Sequence, residues 1–135
     1  MKISAASRYG LKAMVYLAKS KGICSIKKIS QDENISSHYL EKIISKLEKA
    51  GLVKSKRGIR GGYFLARPSQ KITVGEIIRV LEGTMAPVLC VAKEKTKRYS
   101  CPQRKSCLTI NVWQKIQDVL YSTLNSITLK DLIKK

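Results

Sequence analysis

Apolar residues recur at helical spacing through the first third of the chain, and this pattern predicts three helices. The first runs from about residue 7 to residue 19 and ends before Gly22, while the second is short and closes before Asn34. Ser36 or Ser37 can cap the third helix, which stops near residue 50. The apolar stripe of this third helix consists of Leu40, Ile43, Ile44 and Leu47.

The pattern then changes to that of a β-hairpin. Residues 52–56 and 63–66 are two short runs typical of strands, and the glycine-rich stretch 57–62 between them forms a turn. Pro68 closes the unit. Three helices followed by a hairpin are the element order of a winged helix-turn-helix.

Further helices follow the hairpin. Thr73 and Glu76 have the spacing of a capping box, and the helix that they begin ends at Gly83. Residues 88–106 show no periodicity and predict a loop, after which a long helix is expected from near Cys107 to about Asn125. A second cap-like sequence at residues 128–131 predicts a short final helix.

The predicted fold is therefore mostly α-helical with a small β-hairpin wing: a winged helix-turn-helix plus a long C-terminal dimerisation helix. We divide it into a DNA-binding domain (residues 1–85), a cysteine-bearing loop (86–106), and a dimerisation helix with its tail (107–135). The long helix has a broad apolar face, which either packs on its own domain or forms the seam of a dimer. Symmetric dimers are the commonest soluble oligomers, so we expect a homodimer. The face comprises Val112, Trp113, Ile116, Val119, Leu120, Thr123 and Leu124.

The charge of the chain points to a polyanionic partner. The 27 basic and 9 acidic residues give a net charge of +18, which favours nucleic acid or, second, an anionic membrane surface. Nucleic acid is favoured because the charge is clustered: residues 54–67 hold five basic residues and no acid. No apolar run approaches the roughly 20 residues of a membrane span. The start of the chain also lacks the apolar segment of a signal peptide, so we expect no membrane partner and a cytoplasmic location.

The start of the third helix holds candidate DNA-binding residues, because the N-terminal residues of a recognition helix reach base edges. Glu41 can accept a hydrogen bond from a cytosine amino group but repels phosphate, so it would discriminate between sites. Lys42 favours phosphate contacts. His38 could equally be an ordinary surface histidine. The candidates on this helix are Ser36, Ser37, His38, Tyr39, Glu41 and Lys42.

The hairpin tip holds the other candidates, Arg57, Arg60 and Gly61. Glycine lets the backbone approach a groove closely, and arginine suits a narrow, negative minor groove. The alternative is a hairpin in which the glycines only close the turn and the arginines are solvated. The position directly after a helix-turn-helix pattern favours DNA binding.

Three of the four cysteines are clustered: Cys90, Cys101 and Cys107. Disulfides are rare in a reducing cytoplasm, so metal binding or redox chemistry is the better interpretation. Thiolates suit iron–sulfur clusters and zinc, but the spacing is not that of a structural zinc ribbon. A thiolate at the start of the long helix would be stabilised by the helix dipole. The alternative is three unrelated thiols, one of them a redox switch, and Cys24 is expected to be a core or surface thiol.

Several stretches carry a family resemblance when they are taken together: residues 1–4, 8–11, 37–41, 50–53, 57–63, 77–83, 107–109 and 127–132. They resemble the Rrf-two family of bacterial transcription regulators, and the resemblance covers essentially the whole chain. It implies a winged-helix homodimer that pairs through its long helix and binds operator DNA. It is closest to the IscR-like branch, in which three cysteines of the equivalent loop hold a [2Fe–2S] cluster. The CymR-like branch lacks these cysteines and is expected to fit less well.

Cys90, Cys101 and Cys107 match the cluster ligands of the IscR-like branch in order, with two departures. The first gap has ten residues where that branch has five, and Ile110 stands where it has a histidine ligand. The fourth ligand is therefore open: a residue of the partner subunit, a small exogenous ligand or water, or none if the protein works without a cluster.

We therefore expect a DNA-binding repressor that senses the status of an iron–sulfur cluster and controls cluster-assembly or related redox and sulfur genes. The first alternative is a cofactor-free or thiol-switched DNA-binding repressor. An enzyme or electron carrier fits less well. The chain has one histidine, no Ser-His-Asp or paired-carboxylate arrangement and no nucleotide-binding glycine motif.

Overall fold

The computed structural model describes residues 2–92 and 102–134, which form six α-helices and one antiparallel hairpin. This mostly helical order confirms the predicted fold class. No helix within the described ranges is long and apolar enough to cross a bilayer. The elements are α1 (Ala5–Ser20), α2 (Ile26–Glu33), α3 (Ser37–Lys49), β1 (Val53–Lys56), β2 (Gly62–Leu65), α4 (Val74–Glu82), α5 (Ile110–Asn125) and α6 (Leu129–Ile133). Short 3-10 turns lie at Ser69–Lys71, Leu89–Val91 and Arg104–Ser106.

Hydroxyl side chains set the starts of most helices. Ser4, Ser25, Ser36 and Thr73 each accept a hydrogen bond from the backbone amide three residues further on. Because Ser4 is a cap, α1 begins earlier than its apolar periodicity predicts.

The two predicted caps after the hairpin differ in outcome. The reciprocal capping box predicted at Thr73 and Glu76 is wrong in one half, because the Glu76 carboxylate pairs with Arg67 at 2.7 Å instead. The box at Thr128 and Asp131 is complete and confirms the predicted short final helix.

The main core lies where α1, α3, α4 and α6 meet. Met14, Ile44 and Leu129 are wholly buried in it. Gly10 allows the closest approach of α1 to α4, since a Cβ at this position would lie 2.1 Å from Leu81 Cδ1. Gly10 lies in residues 8–11, one of the stretches that carry the family resemblance, and its role there is to let two helices pack closely.

The base of the hairpin is fixed to the body of the protein. Cys24 and Tyr63 exchange two backbone hydrogen bonds of 2.9 and 2.8 Å, and a Cβ on Gly62 would lie 2.3 Å from the Cys24 carbonyl oxygen. Cys24 itself is buried, so it is a core thiol, one of the two alternatives expected for it.

Helix α5 begins at Ile110, so the prediction that it starts near Cys107 is wrong. The 3-10 turn Arg104–Ser106 ends at Cys107, whose backbone is extended. Thr109 occupies the N-cap position. The helix packs against α4, where a Cβ on Gly75 would lie 1.9 Å from Asn125 Oδ1.

The apolar face of α5 is only partly covered by the residues that the structure describes. Leu124 packs against a small cluster formed by Val74, Ile78 and Met85. Val112 and Val119 remain 50% and 65% exposed on the other side of the helix.

Candidate DNA-binding surface and thiol site

The exposed face of α3 carries free polar side chains. His38, Glu41 and Lys42 are exposed, and none of them makes a hydrogen bond or ion pair with another described residue. Ser45 and Lys46 continue the same face. These groups are available to base edges and phosphates, as expected of a recognition helix.

The other candidates on α3 hold the helix in place. The Ser36 hydroxyl caps it, and Ser37 donates to the Ser30 hydroxyl at 3.1 Å, which links α3 to α2. The Tyr39 ring packs edge-on against Tyr9, with centroids 5.9 Å apart. These contacts assign Ser36, Ser37 and Tyr39 a positioning role in the free protein, and their contact with DNA stays a prediction.

Helix α2 is itself fixed against α1 and α3. The Tyr16 hydroxyl donates to Asp32 at 2.5 Å, and this hydrogen bond raises the pKa of Tyr16 to about 12. Asn34 ends α2 in the left-handed conformation, and the buried Ile35 then begins the turn into α3. The two helices are thus held as a unit, as a helix-turn-helix requires.

The hairpin tip is a tight turn. Gly61 donates its N–H to the Gly58 carbonyl at 3.0 Å, which leaves Ile59 and Arg60 as the two central residues. A Cβ on Gly61 would lie 2.2 Å from the Lys56 carbonyl oxygen, so only glycine fits there. Arg57 and Arg60 are exposed, and no carboxylate in the described part of the chain pairs with either.

Most of the positive charge is uncompensated. Two ion pairs join described residues, one between Lys28 and Asp32 (3.4 Å) and one between Arg67 and Glu76 (2.7 Å), and these involve only two of the 27 basic residues. With a net charge of +18, the protein presents a field that attracts polyanions and is screened by salt.

Arg104 joins the two described segments that carry the clustered cysteines. Its guanidinium donates to the backbone carbonyl of Cys90, and Cys107 follows three residues later. Cys90 and Cys107 are both half-buried. Cys101 lies outside the described residues, and within them no three His, Cys, Asp or Glu side chains are grouped to hold a metal ion.

The Cys107 sulfur lies in a setting that favours the thiolate. The Thr109 hydroxyl is 3.3 Å from it, and hydrogen bonds from this hydroxyl and from the amides of Thr109 and Ile110 lower the pKa of the thiol. The amides at the start of α5 therefore stabilise the Cys107 thiolate, although Cys107 precedes the helix. Basic Arg104 and Lys105 stand close by in sequence. The described thiols thus fit a soft metal or an iron–sulfur cluster in chemistry, but they are not a complete ligand set.

Thr109 and Gln117 were not singled out by the sequence pattern. Arg104 was expected only to balance the charge of an anionic cluster, and its hydrogen bond to the Cys90 carbonyl, like that between Thr109 and Cys107, is a contact that periodicity cannot reveal. Gln117 is 2% exposed on α5, and its side-chain oxygen has no hydrogen-bond partner within the described residues. The sequence signal that could have identified Gln117 is its position as a lone polar residue on the otherwise apolar side of α5.

Comparison with known proteins places this geometry in one family. The sequence profile of the Rrf2 family, described as iron-dependent transcriptional regulators, matches residues 3–135. The transcriptional regulator CymR of Bacillus subtilis is 45% identical over 134 residues, which cover 98% of this chain and 89% of the relative.

Solved structures give the same result. The structure of T. potens IscR has a TM-score of 0.73 at 40% identity and covers 99% of this chain and 87% of its own. The oxidised form of Staphylococcus aureus CymR has a TM-score of 0.74 at 36% identity, covering 100% of this chain and 98% of its own. CymR and IscR are thus both relatives, and CymR is no more distant than IscR, contrary to the poorer fit expected for it. The chain belongs to the Rrf2 family and is a DNA-binding transcription regulator, not an enzyme.

Proposed function

We propose that the protein is a homodimeric, cytoplasmic repressor whose affinity for operator DNA depends on an iron–sulfur cluster bound through Cys90, Cys101 and Cys107. The observation that carries the proposal is the hydrogen bond from Arg104 to the Cys90 carbonyl. It ties Cys90 to the segment that ends at Cys107, the thiol whose pKa is lowered. A lowered pKa favours the thiolate, which is the form that ligates iron.

The dimer is supported by the unused side of α5. Val112 and Val119 are seven residues apart, which places them on one side of the helix, and both are largely exposed. A second copy of α5 would cover them. Two reading heads in a symmetric dimer would then meet two half-sites about one helical turn of DNA apart.

A route from the thiols to the DNA runs through α5. The 3-10 turn that holds Cys90 packs on α5, and α5 packs on α4, which contacts α1 and α3. A cluster, when bound, supplies a redox-labile centre at the thiols. The chain's own part is to present thiolates, to balance their charge with Arg104 and Lys105, and to transmit their state to α5. The two states must differ in their affinity for DNA for this coupling to regulate.

A thiol switch without a cluster is the second candidate. It is favoured by the likeness to CymR, which has been solved in an oxidised form, and by the half-buried, low-pKa Cys107. Oxidation of such a thiol would need no fourth ligand, which is consistent with Ile110 in place of histidine.

The visible absorption spectrum separates the two candidates. We would purify the protein without oxygen beside a variant with Cys90, Cys101 and Cys107 all changed to Ala, and beside Cys24→Ala as the control for a lost core thiol. Charge-transfer bands in the parent and in Cys24→Ala, but not in the triple variant, are expected for a cluster. A colourless parent, even after reconstitution with iron and sulfide, would contradict the cluster and favour the thiol switch.

A further inference from the structure

An isoleucine stands at the apex of the wing. Ile59 is a central residue of the turn closed by Gly58 and Gly61, and its side chain is fully exposed. Single exposed apolar residues are common on protein surfaces and need no explanation by themselves. This one is distinguished by its place at the tip of a hairpin directed outward and by its neighbours.

The neighbours of Ile59 are suited to a DNA backbone. Arg57 and Arg60 flank it, and residues 54–67 contain no acid that would repel phosphate. Neither arginine is engaged by a carboxylate within the described ranges. The tip therefore pairs an apolar side chain with two free cations, the combination used by proteins that insert a wedge between base steps in the minor groove.

The tip is also held firmly enough to act as a wedge. The Gly61–Gly58 hydrogen bond closes the turn, and Gly62 sits against the Cys24 backbone at the hairpin base. Cys24 lies in the main core, so the hairpin is anchored to the body of the protein and its tip is held in place.

We propose that Ile59 inserts between base steps of the minor groove beside each half-site and makes the protein select flanks that unstack easily. This inference rests on the proposed DNA-binding mode of the wing. Pyrimidine–purine steps such as TA and CA unstack at least cost, whereas A-tracts are stiff and narrow. The wedge therefore favours flexible flanks, whereas phosphate contacts made by Arg57 and Arg60 carry no flank preference of their own.

The test uses the full-length protein and an operator duplex obtained by selection from a random-sequence library. 2-Aminopurine, whose fluorescence rises on unstacking, is placed in turn at each adenine of the flanks. The variants are Ile59→Ser, which removes the wedge, and Ile59→Leu, which keeps it. Because the Ile59 side chain is fully exposed and belongs to no core cluster of the described residues, neither variant should change the unfolding midpoint.

We expect the wild type and Ile59→Leu to raise fluorescence at one step in each flank, and Ile59→Ser to raise it at none. On TA- or CA-containing flanks, Ile59→Ser should weaken binding about tenfold, the scale of one lost base contact. On A-tract flanks its affinity should be unchanged, so its flank preference moves toward A-tracts. Unchanged fluorescence in the wild type, or the same flank preference in Ile59→Ser, would overturn the wedge. Failure to select any operator would instead overturn the sequence-specific DNA binding on which the wedge rests.

Discussion

Glu41 and Arg60 are both free in the described structure, yet their charges give them opposite roles on DNA. A carboxylate in the major groove can accept a hydrogen bond from a cytosine amino group, whereas phosphates and the acceptor atoms of base edges repel it. A guanidinium at the wing is attracted by phosphates whatever the sequence. One residue therefore sets preference and the other sets affinity.

Glu41→Ala is expected to change which operator the protein prefers. Loss of the carboxylate removes a discrimination of about 1–3 kcal/mol at one base pair and leaves the other contacts in place. Parallel selections from a random-sequence library with the wild type and the variant would show the change. An identical preferred site in both selections would rule out the assigned role of Glu41.

Arg60→Ala is expected to weaken binding to all duplexes by a similar factor. The slope of log affinity against log salt should fall by about one, since one phosphate contact is lost. Lys115→Ala removes the same charge from α5, away from the wing, and serves as the control. If both variants change the salt slope equally, the effect is one of net charge and not of the wing.

Thr109→Val is expected to raise the pKa of the Cys107 thiol. The Thr109 hydroxyl is the largest cause of its lowered pKa, and valine keeps the shape without the hydroxyl. Thr109 makes no side-chain cap to α5, so the helix start should persist. The pH dependence of alkylation at Cys107, followed by mass spectrometry on metal-free protein, should shift to higher pH in Thr109→Val. It should stay unshifted in Thr109→Ser, and a shift of equal size in both variants would contradict the assigned cause.

At the scale of elements, the close contact of α1 with α4 depends on the absence of one side chain. Gly10→Ala would place a methyl group 2.1 Å from Leu81 Cδ1 and 3.2 Å from Ile43 Cγ2. We expect a loss of about 1–3 kcal/mol in the free energy of unfolding, the usual cost of overpacking. Gly22→Ala, where the added Cβ would make an ordinary contact of 3.8 Å with the Ser20 carbonyl oxygen, is the matched control. Equal denaturation midpoints for the two variants would show that α1 and α4 can move apart without loss of stability, and would contradict this prediction.

The apolar pattern was sufficient to predict the helices and the hairpin because each element shows its buried face as a period. It was insufficient at helix starts, where single hydrogen bonds decide. The Ser4 cap extends α1 toward the N-terminus. Glu76 pairs with Arg67 and therefore does not complete the capping box that the spacing from Thr73 predicts. The extended backbone of Cys107 likewise delays α5 to Ile110.

In the candidate site, the exposed residues were predictable from the sequence, but the contacts between helices were not. Residue type and position were enough to propose His38, Glu41 and Lys42, which are indeed exposed on α3. The packing of Tyr39 on Tyr9 could not be foreseen, because it joins two helices that are distant in sequence.

At the scale of the whole molecule, α5 has an apolar strip that the described part of the chain leaves largely exposed. Val119→Glu would put a charge in this strip, and we expect the dimer to dissociate with its fold intact. Affinity for a two-half-site duplex should fall about a hundredfold or more, because the two heads no longer bind as one unit.

Light scattering coupled to size exclusion would report the mass, and Asn111→Glu, a change at an exposed position about 80° around α5 from Val119, is the control. A Val119→Glu protein that remains dimeric would place the interface elsewhere.

The central claim is that the state of Cys90, Cys101 and Cys107 controls DNA binding. The most direct test is the Kd for one selected operator, measured without oxygen for cluster-loaded and cluster-free protein and for the triple cysteine variant. We predict that the two states of the parent differ by about 5- to 150-fold, the range of typical coupling energies, and that the variant shows one Kd under both treatments. Equal affinities for the loaded and cluster-free parent would contradict the account.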